Sequence, residues 1–235
     1  MTQSEVYARG AVSARSAATA GVLIAMLGVT AACWAVAVNQ MQGMDMGTET
    51  TLGSFWFFVA VWVAMTAAMM LPGAIPAALR RAKDGSGVRA VPLFVGSYLA
   101  VWALAGVVLY ALYRPHGTAV AGGAVMAAGL YELTPLKRHF RQRCRASVRS
   151  GVGFGMYCVG SSAGLMLMLV VLGVMSLTFM AVAAVLIVGQ KLLPTWAALD
   201  VPLAVAIVGL GIFILVAPSA LPGLTPAMHS MTPAM

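Results

Sequence analysis

The stretch that decides the fold is "LGSFWFFVAVWVAMTAAMMLPGAIPAAL", Leu52 to Leu79, followed at once by Arg80 and Arg81. It carries no charged side chain, and it exceeds the ~20 apolar residues that a helix needs to cross a bilayer. Two arginines at its end are a typical stop at a membrane face. Working outward, further apolar runs follow at about Ala17–Val38, Val91–Tyr113, Gly117–Leu133, Gly151–Leu172, Thr178–Leu193 and Val201–Ala217. Only 9% of the 235 residues are charged and 61% are hydrophobic, whereas soluble domains carry about 25% charged residues. No run alternates with a two-residue period, which argues against a barrel. The reading is an all-α polytopic helical bundle of about seven spans, with a 1–16 N-terminal tail, a 17–217 membrane domain and a 218–235 tail rich in proline, methionine and histidine. A cleaved signal peptide competes for the first run, because Ala35-Val36-Ala37 looks like a cleavage site. That run is longer than the usual 7–15-residue signal core, so an uncleaved span is favoured.

Charge placement orients these runs. With a cytoplasmic N-terminus and seven alternating spans, all Lys and Arg residues but Arg114 fall on the cytoplasmic side, out of 14 in the chain. This is the positive-inside pattern of a bacterial inner (plasma) membrane protein. The net charge of +8 thus serves orientation and contact with the lipid bilayer, and no nucleic acid partner is implied. The densest basic segment, Leu136 to Arg149, reads as a connection that adheres to anionic lipid. The same topology puts the Asn39–Thr50 loop and the C-terminal tail outside.

Both outer segments are rich in thioethers, which are soft, uncharged ligands suited to Cu(I). The loop holds Met41, Met44 and Met46, and the tail holds Met228, His229 and Met231. Interface packing and gap-filling are the plainer uses of such methionines. Inside the opening stretch, Met65 and Met69 stack on one helix face, while Met70 points about 100° away. Pro72 and Pro76 withhold donors from the carbonyls of Ala68 and Pro72. In lipid those carbonyls need partners, so this section is expected to face protein or a wet cavity. The MxxxM spacing resembles the methionine pair in the pore of eukaryotic copper transporters. Further along, "GFGMYCVGSSAGLMLMLVVLGVM", Gly153 to Met175, offers Cys158 beside thioethers, with glycines spaced for close helix packing. Glu132, Lys137, Gln190 and Lys191 are polar groups at the ends of spans, and Gln190 and Lys191 are placed to meet Glu132.

The segments "AMMLPGAIP" (Ala68–Pro76), "YELTPLKRHFRQRCR" (Tyr131–Arg145), "GMYCVGSSAGLMLM" (Gly155–Met168), "GVMSLTFMAV" (Gly173–Val182) and "QKLLP" (Gln190–Pro194) together resemble a bacterial family of predicted metal-binding integral membrane proteins, a domain of unknown function. The resemblance implies a multi-helix membrane fold and a metal role. In that family a cysteine pair usually follows the glycine after "YC", often preceded by a histidine. Here those places hold Ser161, Ser162 and Phe154, and Gln190 stands where a glutamate is usual. The chain therefore resembles a divergent member lacking the cysteine pair.

No nucleotide-binding loop, catalytic triad or HExxH motif occurs, and an enzyme is not expected. The expected function is binding or handling of a soft metal, with a copper ion the one expected, in metal homeostasis or delivery. The competing expectation is a non-catalytic accessory or assembly subunit with membrane-protein partner subunits, in which the methionines simply pack. The expected metal ligands are Met41, Met44, Met46, Met65, Met69, Cys158, Met228, His229 and Met231.

Overall fold

A computed structural model describes residues 3–41, 54–83, 88–114, 117–146, 150–173, 177–192 and 200–217. These residues form eight helices: α1 (Gln3–Met41), α2 (Phe55–Lys83), α3 (Ala90–Leu112), α4 (Thr118–Glu132), α5 (Pro135–Ala146), α6 (Gly151–Gly173), α7 (Leu177–Leu192) and α8 (Asp200–Val216). The described chain is all-α, as its composition requires. Among the described residues four helices are long and apolar enough to cross a membrane: α1 over Ser16–Gln40, then α2, α3 and α6. The count becomes five if α4 and α5, which meet at a 62° bend, form one broken span. The remaining apolar helices, α7 and α8, have 16 and 17 residues. At 1.5 Å per residue they extend roughly 25 Å, short of the ~30 Å hydrocarbon layer. This is why apolar runs that look alike in sequence differ in the fold.

Two helices organise the bundle. α2 packs against α1, α3 and α7, and α6 packs against α3, α4, α5 and α7, while α4 lies along α8. α2 is the most enclosed of the four long helices and α1 the least. Trp62 of α2 donates its indole N–H to the carbonyl of Trp102 on α3 at 2.9 Å, which gives that pair a fixed register. α4 and α8 approach closely because small residues face one another. A Cβ at Gly211 would stand 2.5 Å from Met126 Cγ, and one at Gly122 2.6 Å from Leu215 Cγ. Close backbone approach through small residues is how helices associate where the surroundings are as apolar as the side chains.

By composition 136–149 reads as a connection. Much of it is instead α5, and the reasons are local. Thr134 accepts the Lys137 backbone N–H at 3.3 Å, as an N-cap residue does. Pro135 opens the helix, where its missing N–H costs nothing. Lys137, Arg141 and Cys144 follow at i, i+4 and i+7, and all three are buried, so α5 turns one face onto α6 and leaves Arg138 and Arg143 outward. A basic amphipathic helix has the composition of a loop and the periodicity of a helix; here the periodicity prevails.

Candidate metal centre

Cys158 lies about two turns into α6, fully buried. Its Sγ is the meeting point of four helices. Lys191, near the end of α7, donates from Nζ to Cys158 Sγ at 2.7 Å. Tyr98 of α3 brings its hydroxyl to 3.2 Å of the same sulfur. The Cys144 thiol, on the buried face of α5, lies close enough to Cys158 to interact with it. The Lys191 ammonium also points at Met70 Sδ of α2, 3.5 Å away. Two soft sulfur atoms, from α2 and α6, thus face one ammonium, and the Cys144 thiol of α5 is close by.

Beside this cluster is a cavity of about 60 Å³, lined among others by Gly73, Arg80, Cys144, Arg145, Ser161 and Lys191. It is roomy enough for a few water molecules or an ion. The proline section of α2 makes the space. Gly73, between Pro72 and Pro76, has no side chain, and a Cβ there would stand 2.5 Å from Lys191 Cδ. The lysine stem passes through the notch that this glycine leaves. Pro76 also lines the cavity, and Arg80 Nε donates to its carbonyl at 3.3 Å. The expectation that this stretch faces protein and a cavity matches the structure.

A second polar cluster lies nearby, built from hard groups. Glu132, at the end of α4 and fully buried, is ion-paired to Lys137 and accepts the Gln190 side-chain N–H at 2.9 Å. Arg141 Nη1 bonds both carboxylate oxygens of Asp200 at 2.9 Å, and Lys137 lies 3.8 Å from the same carboxylate. Of the two α7 residues placed to meet Glu132, Gln190 does so, while Lys191 turns to the sulfurs.

The expected ligands separate. Cys158 is at the centre. Met65 and Met69 are fully buried in the core, and the α2 sulfur at the centre is that of Met70. Met41 ends α1. Met44, Met46, Met228, His229 and Met231 lie outside the described residues. Sequence reasoning did not join Cys144, Met70, Tyr98 and Lys191 to Cys158. The i, i+4, i+7 stripe on α5 was the available signal for Cys144. Ser161, where the resembled family usually has a cysteine, lines the same cavity and bonds the Cys158 carbonyl at 2.9 Å. Among the described residues no three His, Cys, Asp or Glu side chains cluster as a metal site. What is present is two thiols and a thioether, a donor set whose softness fits Cu(I) and not a hard cation.

The fold and centre define a class: an all-helical chain, apolar enough in several helices to cross a bilayer, enclosing a small group of soft sulfur donors. A family model described as "Copper chaperone", PpoB2, matches residues 59–214. The chain belongs to this copper-related family, and the match spans every residue of the sulfur centre. No curated protein and no solved structure matches the chain.

Proposed function

We propose that this chain is an inner-membrane protein that takes up Cu(I) on Cys158, Cys144 and Met70 and passes it on, in copper homeostasis or delivery. The observation that carries this reading is the convergence of three sulfurs from three helices at one buried point beside a cavity. Thiolate and thioether ligands select Cu(I) over the harder ions that dominate the cell. Copper is cargo here, and the chain is not an enzyme. Its function is to exclude water and hard ligands around the ion, hold it on few donors and release it.

The arrangement in the membrane follows the charge pattern: seven spans, a cytoplasmic N-terminus, and the basic face of α5 on the anionic cytoplasmic leaflet. The short helices α4, α7 and α8 then cross with the help of local bilayer thinning. On this topology the centre draws copper from the cytoplasmic half, while Met41, Met44 and Met46, with Met228, His229 and Met231, form an outer capture surface. The chain is a divergent member that has replaced the cysteine pair with Ser161 and Ser162 and relies on Cys158 and Cys144. Met65 and Met69 have the complete burial expected of packing residues, which is what the accessory-subunit reading assigns to them.

Element analysis of the detergent-purified chain, loaded with Cu(I) under reducing conditions, tests the reading. One tightly held copper per chain, lost in Cys158→Ser, is the expected result. No retained copper in the intact chain would overturn it. The outer surface is tested separately. Joint replacement of Met41, Met44 and Met46 by Leu is expected to slow copper uptake by cells and leave the affinity of the inner centre unchanged. Unchanged uptake would remove the loop from the account.

A further inference from the structure

The sulfur centre already holds a cation. Lys191 Nζ is 2.7 Å from Cys158 Sγ and 3.5 Å from Met70 Sδ, so it sits between two of the atoms that would bind copper. The arm is long, and its path past Gly73 leaves it bordering the cavity. Its backbone is fixed, because Arg145 Nη2 donates to the Lys191 carbonyl at 2.9 Å. The end of α7 is thus tied to α5, while the side chain is free to turn about four bonds. A Cu(I) ion and an ammonium carry the same charge and seek the same electron-rich sulfurs. The ammonium takes up the lone pairs and the space between the two sulfurs that a Cu(I) ion would use, so both cannot occupy that gap.

We propose that the Lys191 ammonium is a tethered placeholder for Cu(I): it bridges the Cys158 and Met70 sulfurs until copper enters and then turns aside from them. This rests on the copper reading given above and adds how that site is regulated. The exchange keeps a cation on the Cys158 sulfur throughout. It also lowers net affinity, since copper must displace a bonded cation. Weaker retention suits a protein that gives its cargo away. A lysine that merely neutralised the thiolates would stay in place, and copper would bind less tightly without it.

Two measurements on the full-length detergent-solubilised protein separate these cases. Acylation of lysines by a small amine-reactive ester, read residue by residue by mass spectrometry, is expected to rise severalfold at Lys191 when Cu(I) is added. Lys137, held in its buried ion pair, serves as the internal control and should not change. Competition for Cu(I) against a chromogenic chelator is expected to show Lys191→Leu binding about tenfold tighter than the unaltered chain. If the unaltered chain retains copper but Lys191 labelling stays flat, or if Lys191→Leu binds equally or more weakly, the placeholder is overturned and the copper reading stands. If the unaltered chain takes up no copper, both fall. Should Lys191→Leu not fold, the labelling of the unaltered chain decides alone.

Discussion

Gln190 and Lys191 are neighbours on α7, yet their side chains serve two different interiors. Gln190 reaches Glu132, in a cluster where carboxylates meet Lys137 and Arg141. Lys191 reaches sulfur, at Cys158 and Met70. Each cluster holds a lysine ammonium, that of Lys137 buried and that of Lys191 partly buried, and they differ in what balances it. Lys137 faces two carboxylates, Glu132 and Asp200, which are hard, permanently useful partners and fasten α4, α5, α7 and α8 together. Lys191 faces a polarisable sulfur that has a second use, since a thiolate that accepts from an ammonium equally accepts a soft metal. The comparison teaches that an ion pair with carboxylates fixes a fold, whereas a cation parked on thiol and thioether leaves a site that can exchange its occupant.

The largest expected effect comes from breaking the hard cluster. Glu132→Ala leaves the buried Lys137 with only the Asp200 carboxylate, 3.8 Å away, and removing one partner of a buried pair costs about 3–5 kcal/mol. The thermal unfolding midpoint in detergent should fall steeply. Cys158→Ser should leave that midpoint nearly unchanged while weakening Cu(I) binding by more than about 100-fold, close to 2.7 kcal/mol. If both substitutions lower stability alike, the two clusters are one structural unit and the contrast drawn here fails. A sharpening change is Ser161→Cys, which puts a third thiol beside the cavity where the family usually has one; chelator competition should show Cu(I) affinity rising about tenfold. The smallest effect is expected from Met70→Leu. Its volume is conserved, so stability should change by less than about 1.5 kcal/mol, and affinity should drop by less than about tenfold because the thiols remain.

What the sequence made legible follows from distance along the chain. Apolar length and the arginines that close it are local signals, so the helices around Leu52–Leu79 and Gly151–Leu172 were readable directly. The prolines at Pro72 and Pro76 announced a section needing protein or a cavity, and Gly73 supplies the notch. α5 was hidden because Lys137, Arg138, Arg141, Arg143 and Arg145 give it the composition of a surface connection, and only the spacing of its buried face reveals a helix. The centre was legible as one residue, Cys158. Its partners come from other helices, and no spacing within a motif relates Tyr98, Cys144 or Lys191 to Cys158. Lys191 was counted as an orienting charge, a use that gives no hint of a sulfur partner. Met70 was set apart from Met65 and Met69 by its 100° offset, and that offset is what turns it to the centre.

The central claim is that copper sits among sulfurs contributed by α2, α5 and α6. X-ray absorption at the copper edge, on the Cu(I)-loaded full-length chain and on Cys158→Ser and Cys144→Ser, tests it most directly. The account predicts an all-sulfur shell in the unaltered chain that loses a sulfur or disappears in each variant. A shell of nitrogen and oxygen, or a sulfur shell indifferent to both cysteines, would contradict it.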